Sequence, residues 1–531
     1  MDDSPKPEEF AALQQALADA LRHNESLVGQ MRVLRTERDL LKEQLNRFKR
    51  QLFTAKSEAS NQHQKDMFFN EAEAAGVSAQ PATEDADEDI DVPAHRRARR
   101  GRKPLEPALP REVVRHELPE GERVCPRDGA RLNEIGVEVS EQLDIVPQQV
   151  RVIRHERVKY ACPCCDGGMR VAAKPPQVTP KGLLSEAALA WVITSKYLDG
   201  LPLYRQAALL GRFGGTDLSR NTLAASVVRV GQAVQPVVNL LRDALLDAPI
   251  VHGDETELQV LKEPGRKAQA KSYVWVQMTD GSGTNGRGPP IRLFAYSPSR
   301  STPTARQLYA GLGTGGVLMS DGYEPYNAVA EHHRLVHLGC WAHCRRYFND
   351  ALQALPLDKR GPQQLPARFI ELIGQLYRVE AQARQAGLDA QALHRQRQQR
   401  SVEVLGKMQA LLLEHLHGVL PGSLLGKALH YMAAQWPKLK RFVEDGRYPI
   451  DNNVCENAIR PFVVGRRNWL FADTVAGANA SANLYSLLQT CIVNGIDGYR
   501  YLKTLLVALP KASTAEDYDA LLPWRLTTDQ R

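Results

Sequence analysis

The sequence predicts a multidomain α+β protein, and three of its features carry that prediction. A heptad repeat fills the first 53 residues, a cysteine cluster lies between residues 125 and 165, and short strand-like segments from residue 250 give way to long helical ones. The chain has 531 residues, room for several domains at roughly 100 to 200 residues each. It is 43% hydrophobic and 24% charged, the balance of a chain that buries sizeable cores. No run of about 18 apolar residues occurs and the start, MDDSPKPEEF, is acidic, so neither a membrane span nor a secretory signal is expected. Eight cysteines in a chain this long suit reduced thiols and metal ligands better than a disulfide framework, which points to the cytoplasm.

Phe10, Leu13, Leu17, Ala20, Asn24, Leu27, Met31, Leu34, Arg38, Leu41, Leu45, Phe48 and Leu52 follow a 3, 4 spacing without a slip. Such a repeat, held for about six heptads, predicts a coiled coil over residues 1–53 and a homodimer or higher oligomer. Asn24 occupies an apolar position, where a buried amide fixes register at some cost in stability. The same pattern also suits one amphipathic helix packed on its own protein.

Residues 54–110 lose the period and read as a linker, acidic first and basic afterwards. The net charge of +7 hides this division: residues 1–91 carry −8 and the remainder +15. Arg96, Arg97, Arg99, Arg100, Arg102 and Lys103 surround a glycine, as in arms that lie along the minor groove of DNA, although a solvated charged linker has the same composition. The acidic block from Glu84 to Asp91 is suited to fold back on these arginines until DNA displaces it.

Residues 111–175 form a small β-rich, zinc-knuckle-like unit. Cys162 and Cys165 have the C-x-x-C spacing that grips one Zn²⁺, while Cys125 is followed at the matching position by Asp128. A carboxylate can complete a zinc set, so Cys125, Asp128, Cys162 and Cys165 are the candidate ligands, and a metal-free knuckle is the alternative. In the helical region 176–245, LPLYRQAALLGRFGG and LSRNTLAASVVRVGQAV read as a helix-turn-helix-like pair, the second capped by Ser219 or Asn221. Helix pairs of this kind are also plain packing units.

Strand-like segments follow at IVHGDETELQVL, SYVWVQMT, IRLFAYS and GVLMSD, with the helical PTARQLYAGL before the last. Three strands, a helix and a fourth strand begin an RNase H-like sheet, with Asp254 on the first strand and Asp321 at the end of the fourth. A helix announced by Pro449 and Asp451 supplies Glu456. Three carboxylates from separate elements suit two Mg²⁺ ions, or Mn²⁺ in their place, poised for in-line displacement at a phosphodiester. Taken singly, Asp254 suits a strand-end carboxylate, Asp321 a turn, and Glu456 an ion pair with Arg460. Their order of strand, strand end and helix argues for the joint reading. Arg460, Arg466 and Arg467 sit where phosphates would approach, or serve as ion-pair partners. Cys340 and His343 read as a packed, hydrogen-bonded pair in preference to a zinc site.

The 135 residues between Asp321 and Glu456 are strongly helical and predict an all-α insertion over 351–448. It divides the core into residues 246–350 and 449–510, leaving a tail at 511–531. Scaffolding is its ordinary role.

HGDET, SDGYEPYN, GCWAHCRRYF and DNN-x-x-EN-A-I-R-P-F-x-x-GRRNWLF resemble, in order and in local sequence, the DDE transposases of bacterial insertion-sequence family sixty-six, from the zipper to about Leu506. The resemblance implies that Asp254, Asp321 and Glu456 are a DDE triad on an RNase H-like core. It further implies double-stranded DNA as partner, both transposon ends and target, with cleavage to a 3′ hydroxyl followed by strand transfer. Accessory proteins encoded by the same element and a nucleoid-associated, cytoplasmic protein are also implied. Two positions depart from the family pattern: Asp128 replaces the customary second zinc cysteine, and Asn457 stands where arginine is usual. A DNA-binding regulator with an inactive RNase H-like domain, and an RNase H-like nuclease without strand transfer, are the alternatives.

Overall fold

The computed structural model describes residues 7–53, 150–161, 169–171, 173, 175–214, 218–281 and 288–526. The basic arm from Arg96 to Lys103 and the expected zinc ligands Cys125, Asp128, Cys162 and Cys165 lie outside the described residues. Internal contacts divide the chain into one unit of residues 1–80, 155–209 and 217–531 and another of residues 81–154 and 210–216. The architecture of the first unit follows.

The heptad segment is a single helix, α1 (Pro7–Phe53), and its apolar seam is uncovered from Leu17 to Leu45. Leu17, Leu34 and Leu41 are more than 60% exposed, and Leu27, Met31 and Leu45 are exposed as well. β1 (Lys159–Ala161) and β2 (Met169–Val171) pair antiparallel. The helical region contains α2 (Glu186–Tyr197), α3 (Leu203–Gly214), α4 (Arg220–Ala233) and α5 (Gln235–Leu246). Ser185 and Ser219 cap α2 and α4 by accepting the backbone N–H three residues on, each at 3.2 Å. α4 buries Leu223, Val227 and Val230 and leaves Arg220, Asn221 and Arg229 exposed.

The strand-like segments form one mixed sheet from β3 (Ile250–Lys262), β4 (Lys271–Thr279), β5 (Ile291–Ser297), β6 (Val317–Ser320) and β7 (Val336–Gly339), in the order β5-β4-β3-β6-β7. β3, β4 and β5 meander antiparallel, whereas β6 and β7 run parallel to β3. The parallel crossovers use α6 (Thr302–Leu308) and α7 (Glu324–His333), which cover one face with Tyr309 and Tyr326 against Trp275. Gly253 has no room for a Cβ, because the Tyr309 hydroxyl and the Tyr326 ring occupy that space.

α8 (Trp341–Ala354) leaves β7 and enters the expected all-α insertion, made of α9 (Leu365–Gln385), α10 (Ala390–Gln396), α11 (Val402–His415) and α12 (Leu424–Leu439). The insertion has its own core, in which Phe348 stacks on Phe369 at 4.4 Å among Tyr377, Met408 and Met432. The buried Arg397 guanidinium donates to both Glu380 oxygens at 2.8 Å and to the carbonyls of Phe442 and Asp445 at 2.7 Å. It thereby fastens the insertion to the segment that leads back to the sheet.

That segment ends in α13 (Asn453–Trp469), which is followed by β8 (Ala472–Thr474), α14 (Val475–Val493), α15 (Gly498–Ala508) and α16 (Ala515–Asp519). β8 pairs parallel with the far end of β3. α14 covers the edge of β5: Ser486 Oγ accepts from Phe294 N at 2.8 Å and Thr490 Oγ1 from Arg292 N at 3.1 Å. These hydroxyls engage edge groups that would otherwise be open to pairing with another strand. Among the described residues no helix is long and apolar enough to cross a membrane.

Candidate functional site

The site lies at the C-terminal ends of the parallel strands, where open α/β sheets commonly hold ligands. β3 pairs parallel with β6 from Ile250 with Val317 to His252 with Met319; Asp254 lies two residues further along β3, and Asp321 directly follows Ser320, the last residue of β6. The β6–β7 pairing ends at Ser320 with Gly339, so Asp321 and Cys340 are the residues that immediately follow the two strands. Two acids 67 residues apart in sequence thus come from neighbouring strands of the sheet, and their charges interact. Backbone amides hold both: Glu255 N donates to Asp254 Oδ1 at 2.8 Å and Tyr323 N to Asp321 Oδ1 at 2.9 Å. Gly322 brings the chain against Tyr431 and Gln435 of the insertion, with no space for a side chain.

Glu456 projects from the first turn of α13. Its carboxylate lies 3.4 Å from His343 Nδ1 and 3.3 Å from Arg346 NH2, both on α8. Burial holds the Asp254 carboxyl well above the usual carboxylate range, and the negative charges of Glu255, Asp321 and Glu456 push the same way. An uncompensated charge at Asp254 is therefore costly, and a bound cation would relieve it. An all-oxygen set of this charge fits a hard divalent metal.

Among the described residues, Cys340, His343 and Glu456 bring one ligand atom each to within 4.8 Å of one another, whereas Asp254, Asp321 and Glu456 do not close to that distance as a trio. Burial pushes the Cys340 thiol well above its ordinary range and the His343 imidazole below its own, so the pair is poised neutral. The sequence reading of Cys340 and His343 as a packed pair did not anticipate that His343 faces Glu456. Arg346 was missed too; the double arginine in GCWAHCRRYF was the available signal. Glu255 is a further acid that sequence reasoning passed over. It is 8% exposed, accepts a 2.8 Å hydrogen bond from the Tyr326 hydroxyl, and is raised by burial to about 7.

Of the basic residues singled out in the sequence, Arg460 and Arg467 are exposed on α13, and Arg466 is half-buried with its guanidinium pKa lowered by burial. The GRRNWLF block begins inside α13, which runs through to Trp469. Gly465 is required because the Tyr485 hydroxyl of α14 and the Trp469 indole leave no room for a Cβ. The end of the block docks on α2: Asn468 donates to the Gly200 carbonyl at 2.9 Å, and Lys196 lies 4.9 Å from the Trp469 ring centroid.

Residues 181–480 match the profile described as "Transposase IS66 family", more than half of the chain, and the chain belongs to that family. Residues 122–166, spanning the expected zinc ligands, match the "zinc-finger binding domain of transposase IS66". Residues 40–114 match "Transposase C of IS166 homeodomain", and residues 486–524 match the "IS66 C-terminal element". Among similar proteins, the uncharacterized protein y4jD of Sinorhizobium fredii (strain NBRC 101917 / NGR234) is 33% identical over 434 residues, covering 80% of this chain and 82% of that protein. The uncharacterized protein y4qI of the same organism is 33% identical over 442 residues, covering 81% and 80%.

Proposed function

We propose that this transposase cleaves and joins DNA through a DDE triad of Asp254, Asp321 and Glu456 on an RNase H-like core. The placement of Asp254 on β3 and of Asp321 just past the end of the neighbouring parallel strand β6, with Asp321 and Glu456 both coupled to Asp254 by charge, is the observation that carries the reading. In this reading the three acids hold two Mg²⁺ ions, or Mn²⁺ in their place. When bound, such a pair activates the attacking oxygen and stabilises the leaving oxygen of an in-line displacement at phosphorus. The backbone amides of Glu255 and Tyr323 hold the two aspartates in place, and Arg346, Arg460, Arg466 and Arg467 receive the DNA phosphates. The first reaction frees a 3′ hydroxyl at each transposon end, and that hydroxyl attacks target DNA in the second.

The remaining parts serve DNA capture. The basic arm Arg96 to Lys103, the exposed face of α4 and the zinc finger, with Cys125, Asp128, Cys162 and Cys165 as ligands, hold the ends. The uncovered heptad seam of α1 pairs two copies of the chain as a coiled coil so that two ends are held together. Accessory proteins of the same element complete the assembly.

The test is Mg²⁺-dependent cleavage and strand transfer by the full-length protein on DNA carrying the element's ends, with the accessory proteins in every arm. Asp321→Asn is expected to bind these ends and form no product. Equal product from both proteins refutes the triad.

A further inference from the structure

We propose that Asn452 is a positioning residue that sets Glu456 against Asp254 by clamping the start of α13 to β3. The inference rests on the reading of the three acids as a metal site. Asn452 immediately precedes α13, where an asparagine ordinarily turns its side chain onto the free amides of the first helical turn. Here it makes no such cap. The side chain is fully buried and reaches the opposite way, into the sheet.

Its Nδ2 donates to the Gly253 carbonyl at 2.9 Å, and its Oδ1 lies 3.0 Å from His252 Nδ1. Because a carbonyl only accepts, the Gly253 contact fixes which way the amide faces. Asn452 Oδ1 then accepts from His252, which fixes that ring as the Nδ1–H tautomer. The Asn452 amide N–H donates to Cys340 Sγ at 3.2 Å, at the end of β7. On its other side the Asn452 carbonyl accepts the amide of Glu456 itself at 3.1 Å. One residue therefore connects the backbone of the third acid to the residue just before the first, and to the cysteine that immediately follows β7. Serine is too short to span both partners, and aspartate would set an oxygen against the Gly253 carbonyl.

The experiment measures Mn²⁺ binding by full-length protein without DNA, from the electron paramagnetic resonance signal of free Mn²⁺, alongside thermal melting in chelator. Asn452→Ser is expected to weaken Mn²⁺ binding at least tenfold. Leu505→Ala, a cavity variant in α15 expected to lower the melting temperature, should leave Mn²⁺ binding unchanged, because general destabilisation does not move the acids apart. If Asn452→Ser does not fold, His252→Leu removes one end of the clamp and is expected to weaken binding at least threefold. Variants that bind Mn²⁺ like the native protein overturn the positioning role while leaving the metal reading intact. A native protein that binds no Mn²⁺, or binds it equally after Asp254→Asn, overturns the metal reading and the positioning role with it.

Discussion

Replacing Arg397 with methionine tests whether the all-α insertion steadies the approach to Glu456. The guanidinium is 2% exposed, Glu380 is 9% exposed, and four hydrogen bonds of 2.7–2.8 Å join Arg397 to Glu380, Phe442 and Asp445. Removing it leaves a buried carboxylate without a counter-charge and two carbonyls without a donor, which costs about 3–5 kcal/mol. At about 2–4 °C per kcal/mol, the unfolding transition of the core should fall by roughly 6–20 °C. The reference is the double variant Arg397→Met with Glu380→Met, in which no charge is stranded, and most of the loss should return. Calorimetry or circular dichroism on the full chain reads both. A single variant within about 1 kcal/mol of native, or a double variant no better than the single one, refutes the reasoning.

Arg346→Ala should tighten Mn²⁺ binding by up to about fivefold, since an exposed ion pair of about 0–1 kcal/mol on Glu456 no longer competes with the metal; weaker binding counts against that competition. Lys196 is depressed by burial from 10.5 to about 8, so between those values the unfolded chain holds the extra proton and stability rises as pH increases. Lys196→Met should abolish this rise and melt higher at pH 7, and a pH series of melting temperatures that still climbs above pH 8 speaks against it. Removing residues 1–53 should convert the protein to a monomer in sedimentation velocity, whereas an unchanged sedimentation coefficient excludes α1 as the pairing surface.

The strands and the long helices were legible in the sequence because each leaves its own local pattern. Short segments rich in Val, Ile and aromatic residues mark β3 to β5, and amphipathic stretches mark the helices between Leu365 and Leu439. Asp254 and Asp321 could be assigned to a strand and a strand end, but the parallel pairing of β3 with β6 that makes them neighbours is encoded by no local pattern. Contacts formed across long sequence separations were the least visible. Arg346 meets Glu456 across 110 residues, Asn452 reaches Gly253 across 199, and Tyr377 donates to Asp451 across 74. The need for Gly465 within α13 was invisible for the same reason, since it is Tyr485 of α14 that approaches too closely for any side chain.

Glu456 is the most exacting test of the proposed triad, since 135 residues separate it from Asp321 and its carboxylate faces His343 and Arg346. The decisive measurement compares Glu456→Gln with the native protein in Mg²⁺-dependent strand transfer, with binding to the same DNA ends read in parallel. Native binding is expected with a loss of product of at least about 1,000-fold, on the order of 4 kcal/mol of transition-state stabilisation. Native binding with more than about a tenth of the native product, a loss below about 1.4 kcal/mol, would contradict it.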